Sequence, residues 1–198
     1  MNLNEVALEV MKRRYLQNGE TPEELFRRVA KAAASVESPE DIAKMSQTFY
    51  EMMTNLDFLP NSPTLMNAGR GMGQLSACFV LPLQDSMHGI FTTLYNMAMV
   101  QRSGGGCGFN FGALRPKGSE VSTTHGVSSG PVSFMRVFNA ASNEIEQGGM
   151  RRGANMGCMS IYHPDIKEFI TCKAEEGTFA NFNISVLIDE PFLKAVRE

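Results

Sequence analysis

Between residues 75 and 188, short apolar runs of strand length alternate with segments that start and stop like helices, and this alternation constrains the fold most. Residues 75–83 (LSACFVLPL) are almost continuously apolar, as expected of a strand buried on both faces. Asp85 and Ser86 can cap a following helix with Met87, Ile90, Leu94, Met97 and Met99 on or near its buried side. Glycines end that helix, and residues 109–114 are strand-like. Residues 118–130 are Gly/Ser/Thr-rich and predict a surface loop. Gly130-Pro131 opens another helix, apolar at Val132, Met135, Val137, Phe138 and Ile145. A strand near 156–161, a helix from His163-Pro164-Asp165 through Thr171 and a strand over 181–188 (NFNISVLI) complete the pattern. Strands alternating with helices imply an α/β sheet with parallel crossovers.

The first 55 residues differ in texture. Val6, Leu8, Val10, Met11 and Tyr15 recur near the helical period, with Gly19 as a stop. Thr21-Pro22-Glu23-Glu24 is a compact helix start, and Ser38-Pro39-Glu40-Asp41 repeats it before Ile42, Met45, Phe49 and Met52. A helical domain over 1–55 is therefore expected, followed by the α/β part over 56–198. Residues 58–64 (FLPNSPT) carry two prolines and predict an irregular segment too rigid for helix.

Composition narrows the function classes. A net charge of −3 argues against a nucleic-acid or membrane partner held by bulk charge. No apolar run reaches the roughly 18 residues of a membrane span, and the first residues (MNLNEVALEVMKRRYL) have no signal-peptide core. The expected location is cytoplasmic. The four cysteines, Cys78, Cys107, Cys158 and Cys172, form no CxxC pair and no zinc-binding spacing. No metal site is expected. Free thiols, buried as small hydrophobes, are the default in a reducing cytosol.

Three stretches could carry chemistry. In residues 103–118 (SGGGCGFNFGALRPKG), glycine backbone amides could converge on an anion, with Arg115 and Lys117 adding charge. The stretch follows a helix and fits neither nucleotide-loop consensus, so a helix stop with tight packing explains it equally well. No acidic Mg²⁺-binding motif accompanies it, which excludes a kinase-like domain. Residues 147–155 (QGGMRRGAN) set two arginines between glycines, as a nucleotide contact or a solvated connection. Cys78, inside an apolar run, reads on its own as a core cysteine.

Taken in order, LPNSPTLMNAG, LSACFVLPLQDSMHGIF, SGGGCGFNFGALRPKG, GPVSFMRVFNAA and QGGMRRGANMG resemble the large catalytic subunit of ribonucleotide reductase, in its adenosylcobalamin-dependent class. The resemblance covers nearly the whole chain. It implies an N-terminal helical cap followed by the first part of a ten-stranded α/β barrel. It also implies reduction of a ribonucleoside di- or triphosphate to the deoxyribonucleotide by thiyl-radical chemistry, with a cysteine pair giving two electrons and becoming a disulfide. Cys78 matches the N-terminal member of that pair. Ser62, Gly105 and Gly106 match positions lining the substrate pocket. Asp85, Ser86 and Arg115 match the site for a deoxynucleoside triphosphate or ATP effector. Gln147, Gly148, Gly149, Met150, Arg151, Arg152, Gly153, Ala154 and Asn155 match the specificity loop, with Arg151 facing substrate. Cys107 stands where the family commonly has threonine or an aliphatic residue, which leaves it a packing thiol.

The same resemblance implies adenosylcobalamin as cofactor, an external dithiol of the thioredoxin type as reductant, and a homodimer paired through the helices around residues 86–102 and 131–147. The family's chains are several times longer, and the radical cysteine and the second redox cysteine lie later in them. The chain alone is therefore expected to be inactive and to need the C-terminal reductase half, in cis or in trans, for turnover; isolated, it is expected to self-associate or to need that complement. Either a natural split subunit or a gene fragment accounts for that. A non-catalytic nucleotide-binding regulatory module that keeps the effector site is the alternative function.

Overall fold

The Thr21-Pro22-Glu23-Glu24 signal builds a complete capping box. The Thr21 hydroxyl accepts from Glu24 N–H at 3.2 Å, and the Glu24 carboxylate accepts from Thr21 N–H at 2.7 Å. In the computed structural model, which describes residues 3–71, 73–121, 125–145 and 153–198, this helix belongs to the first of two units, Met1–Ala77. That unit contains α1 (Glu5–Arg14), α2 (Pro22–Ala34), α3 (Ile42–Thr54) and α4 (Ser62–Asn67). Its core is Leu25, Phe26, Val29 and Ala30 of α2 against Met53, Leu65 and Ala68.

Two starts differ from expectation. The third helix begins at Ile42, because the Ser38 hydroxyl engages the Asp41 carboxylate at 2.7 Å and Asp41 makes no side-chain cap. Residues 62–64, the end of the stretch expected to be irregular, open α4. Asn61 caps it by accepting from Thr64 N–H at 2.9 Å, and Pro63 sits in the first turn, where a missing N–H leaves no helical bond unmade.

The second unit, Cys78–Glu198, is built on a parallel sheet. Its elements in order are β1 (Cys78–Val80), α5 (Met87–Arg102), β2 (Gly106–Asn110), a 3-10 turn (Phe111–Ala113), β3 (Glu120–Val121), β4 (Gly126–Val127), α6 (Pro131–Glu144), β5 (Asn155–Ser160), α7 (Ile166–Thr171), β6 (Phe182–Leu187) and α8 (Glu190–Arg197). The sheet order is β1-β2-β5-β6, every pair parallel, while β3 and β4 form a separate antiparallel ribbon. One sheet face carries Cys107, Phe109, Met159 and Phe182 into a core with Met97, Met135 and Phe138. Phe109 and Phe138 meet edge to face at 5.0 Å.

The opposite face is open. Side chains alternate along a strand, and the register Cys78↔Gly106, Gly108↔Met156, Met156↔Asn183 and Cys158↔Ser185 places these residues on it together. This corrects the expectation of a strand buried on both faces over residues 75–83. Only Cys78–Val80 is strand, at the sheet edge, and Val80 is 88% exposed. The expected strand at 109–114 begins earlier, inside the glycine run, and turns at Phe111. On α5, Ile90, Thr93, Met97 and Gln101 are buried in one line. Met87 and Met99, expected on or near the buried side, fall instead on an exposed line with Phe91 and Tyr95.

Candidate functional site

Asp85 and Ser86 lie at the start of α5. The Ser86 hydroxyl accepts from Gly89 N–H at 3.0 Å. A Cβ at Gly89 would stand 2.6 Å from Gln84 Cβ, so the tight first turn requires glycine. Arg115, 30 residues from Asp85, is brought to it by a segment pinned at three points. His163 Nδ1 accepts from Asp165 N–H at 3.1 Å, so Nε2 carries the proton and donates to Leu114 O at 3.0 Å. Arg115 N–H donates to Asp85 Oδ1 at 3.2 Å, and Lys117 N–H donates to Asp165 Oδ2 at 2.8 Å.

The Arg115 guanidinium then pairs with the Asp85 carboxylate, Nε to Oδ2 at 2.7 Å. Both side chains are about one-third exposed (35% each), so the pair contributes little to stability and is available for exchange with a ligand. Asp85, Ser86 and Arg115 line a cleft of about 530 Å³ with Met87, Ile90, Val121, Val127, Ser128, Ser129 and Phe134. That volume is in the range of small-molecule sites. A guanidinium fork, a carboxylate, hydroxyls and apolar walls suit a ligand with an anionic end, hydroxyls and a planar apolar part. The residues from 121 to 134 were not anticipated. Strands of two residues leave no alternation to read, and the stretch looks like an ordinary polar loop.

The second feature is the open sheet face. Cys78 is exposed there, opposite Gly106. A Cβ at Gly108 would meet nothing closer than 3.8 Å, so packing within the chain does not demand glycine at that position. The bare backbone leaves room for close approach from outside. Gly105 is buried and donates its N–H to Val100 O at 3.1 Å. Cys107 points to the covered face and is 3% exposed. Burial, and secondarily the neighbouring Cys78, push its thiol up to about 12. Burial also raises Cys158 and Cys172.

All four cysteines are free. Cys158 shares the open face with Cys78, but the register sets it two strands away and four residues further along. At ~4.8 Å per strand and ~3.3 Å per residue, that exceeds the ~7 Å Cα reach of a disulfide. Cys107 lies on the other face, and Cys172 packs against the helix-covered core.

A reactivity order follows. At pH 8 an alkylating reagent should label Cys78 at least ~10-fold faster than Cys107, which is shielded and ionised in roughly one molecule in ten thousand. The raised value also means that folding favours the protonated Cys107. That contribution is full below the ordinary thiol range and is lost as pH rises toward about 12. Peptide mapping after timed labelling reads the order, and equal rates would contradict it.

Ser62 lies in the other unit, in the first turn of α4. Its hydroxyl is 3.0 Å from Tyr15 Oη beside an apolar cavity of about 380 Å³ that includes Met11, Leu59 and Leu65. Gln147, Gly148, Gly149, Met150, Arg151 and Arg152 lie outside the described residues. Gly153 is buried, Ala154 is exposed, and Asn155 is the buried first residue of β5. Among the described residues no His/Cys/Asp/Glu group could hold a metal ion, and no helix is long and apolar enough to cross a membrane.

Comparison with known proteins returns two family models. Residues 1–73 match the all-alpha domain of ribonucleotide reductase, and residues 76–198 match its barrel domain. A vitamin B12-dependent ribonucleoside-diphosphate reductase of Thermoplasma acidophilum is 58% identical over 145 residues, covering 73% of this chain and 19% of that protein. One of the same description from Mycobacterium tuberculosis is 43% identical over 206 residues, covering 99% of this chain and 30% of that protein. The solved class Id ribonucleotide reductase alpha subunit of Actinobacillus ureae superposes with a TM-score of 0.82 at 27% identity, over 98% of this chain and 35% of that one. The chain thus spans under a third of the length of these two B12-dependent relatives.

Proposed function

Because the chain belongs to the ribonucleotide reductase large-subunit family, we propose that it forms the N-terminal part of a B12-dependent reductase of ribonucleoside diphosphates. The carrying observation is Cys78, exposed on a glycine-lined face of a parallel sheet whose other face packs into the core. All-parallel sheets normally have both faces covered. The remaining barrel, in cis or in trans, supplies that cover together with the second redox thiol and the radical cysteine. The descriptions of the B12-dependent relatives support the diphosphate substrate and the cofactor.

The sheet edge holds the Cys78 thiol at the substrate ribose, while Gly105 and Gly106 let the sugar approach the backbone. Cys78 and its partner thiol together give two electrons and two protons. They end as a disulfide, and the 2′-hydroxyl leaves as water. A dithiol of the thioredoxin type restores the pair by exchange. Bound adenosylcobalamin supplies the initiating radical. Its contacts are assigned to the remaining barrel. Ser62 is assigned to the substrate side and Arg151 to the substrate base.

The cleft around Asp85 and Arg115 takes a deoxynucleoside triphosphate or ATP. Arg115 exchanges the Asp85 carboxylate for phosphate, and Asp85 accepts from the ribose hydroxyl. Residues 147–155 carry the effector's identity to the substrate base. A cytoplasmic location fits four free thiols. The exposed line Met87, Phe91, Tyr95 and Met99 on α5, beside this cleft, is assigned to a homodimer interface. Tyr95→Glu, at a position 64% exposed, should weaken the dimer of the completed barrel at least ~10-fold by sedimentation. An unchanged dimer would remove α5 from the interface.

The test of function is reconstitution. The chain is combined with the remaining barrel, adenosylcobalamin, a dithiol and a ribonucleoside diphosphate, and deoxyribonucleotide is measured. Formation supports the reading. One observation favours a second reading, a regulatory nucleotide-binding module: residues of this chain line the effector cleft, whereas Cys78 finds no thiol partner among its four cysteines. Deoxynucleotide binding without turnover in the reconstituted system would select that reading.

A further inference from the structure

Three polar side chains from three elements meet inside the apolar core of the sheet unit. Gln101, in the last turn of α5, is fully buried. Ser142, in the last turn of α6, and Asn155, at the start of β5, are each 3% exposed. Gln101 Nε2 donates to Ser142 Oγ at 3.1 Å and to Asn155 Oδ1 at 2.9 Å. Asn155 Nδ2 donates to Ser142 Oγ at 2.7 Å, and the Ser142 hydroxyl donates to Met97 Sδ at 3.6 Å. Among the described residues Gln101 Oε1 is buried without a partner. An unpaired buried acceptor is a standing cost, and apolar groups of similar shape would fill this space without it. Directional bonds retained at a cost fix orientation, which apolar packing does poorly.

What they orient follows from chain position. Ile145 caps the C-terminal end of α6, and its N–H donates to Ala141 O at 3.1 Å. Eight residues later in the sequence, Gly153 is pressed against the Gln101 side-chain amide. A Cβ there would stand 3.1 Å from Gln101 Oε1 and 3.2 Å from Ser142 O. The two ends of segment 146–152 are therefore set by one cluster. That cluster hangs from α5, whose other end carries Ser86 and the effector cleft 16 helical residues away.

We propose that Gln101, Ser142 and Asn155 are positioning residues that clamp both ends of the specificity loop to α5 and so tie its conformation to occupancy of the Asp85–Arg115 cleft. This rests on the reading of residues 147–155 as that loop. None of the three touches substrate or effector in this role.

The test uses the chain completed by the remaining barrel. The ratio of kcat/KM for two ribonucleotide bases is measured with and without saturating deoxynucleotide. Allosteric coupling is typically ~5–150-fold, and a shift of that order is expected in the wild type. In Gln101→Met/Ser142→Ala, which removes both side-chain partners of Asn155, the shift should fall below ~2-fold. Effector affinity and effector-free turnover should stay near wild type, a split that general destabilisation would not produce. Ser142→Ala alone adds no bulk, serves if the double variant fails to fold, and should lose most of the shift. A folded variant that keeps the full shift overturns the inference while leaving the loop reading intact. A wild type without any effector-dependent ratio overturns the loop reading, and the inference with it.

Discussion

Cys78→Ser is expected to abolish deoxyribonucleotide formation in the reconstituted system, by at least ~10³-fold, with effector binding unchanged. A hydroxyl cannot form the disulfide through which two electrons leave, so no rearrangement compensates for the loss. Cys78 is exposed on the open face, and its side chain supports no core packing, so the substitution should leave the fold intact. Cys107→Ala should retain turnover within a few-fold, because Cys107 faces the packed side with its thiol held protonated. Its cost should appear as stability, on the order of 1 kcal/mol for a small cavity in a close-packed core. The two variants are compared by product formation and by thermal midpoint. Full activity in Cys78→Ser, or activity lost only in Cys107→Ala, would contradict the assignment.

Those two cysteines also mark how far local sequence reaches. Cys78 sits in the apolar run LSACFVLPL and reads on its own as buried, whereas the structure exposes it; Cys107, expected to be a packing thiol, is buried. Strand alternation assigns each residue to a face, but only tertiary packing decides which face is covered. Residues 62–64 and 106–110 misled for a related reason. Proline at a helix start and glycine in a central strand are tolerated, and single-residue propensity counts both as breakers. Where a signal is local and chemical, it was readable. The capping box at Thr21, the Ser86 cap and the Gly130-Pro131 start all formed where expected. Asp85 and Arg115 were each marked by the resemblance to the reductase family. Their ion pair depends on long-range bonds to His163 and Asp165 that pin residues 114–117, and Val121 and Val127 of the cleft wall sit on a β-ribbon too short to leave a pattern.

Arg115→Ala should weaken deoxynucleotide binding by ~10- to 150-fold, the equivalent of ~1.5–3 kcal/mol for a hydrogen bond to a charged group. The free protein should hardly notice the change. The Asp85 pair is one-third exposed, and its loss is worth at most ~1 kcal/mol, or about 2–4 °C in thermal midpoint for a chain of this size. Arg115→Lys should recover only part of the affinity, because an ammonium restores the charge but not the two-pronged contact with phosphate. Salt separates charge from fold. Raising ionic strength should weaken the wild type and Arg115→Lys measurably, and should affect Arg115→Ala much less. Titration calorimetry at two salt concentrations measures both effects. The second pinned contact gives an internal control: Lys117 is exposed and engages Glu168 at 3.5 Å, outside the cleft lining, so Lys117→Ala should bind as wild type does. Equal losses in Arg115→Ala and Lys117→Ala would mean diffuse surface charge, and would dissolve the effector site as a specific one.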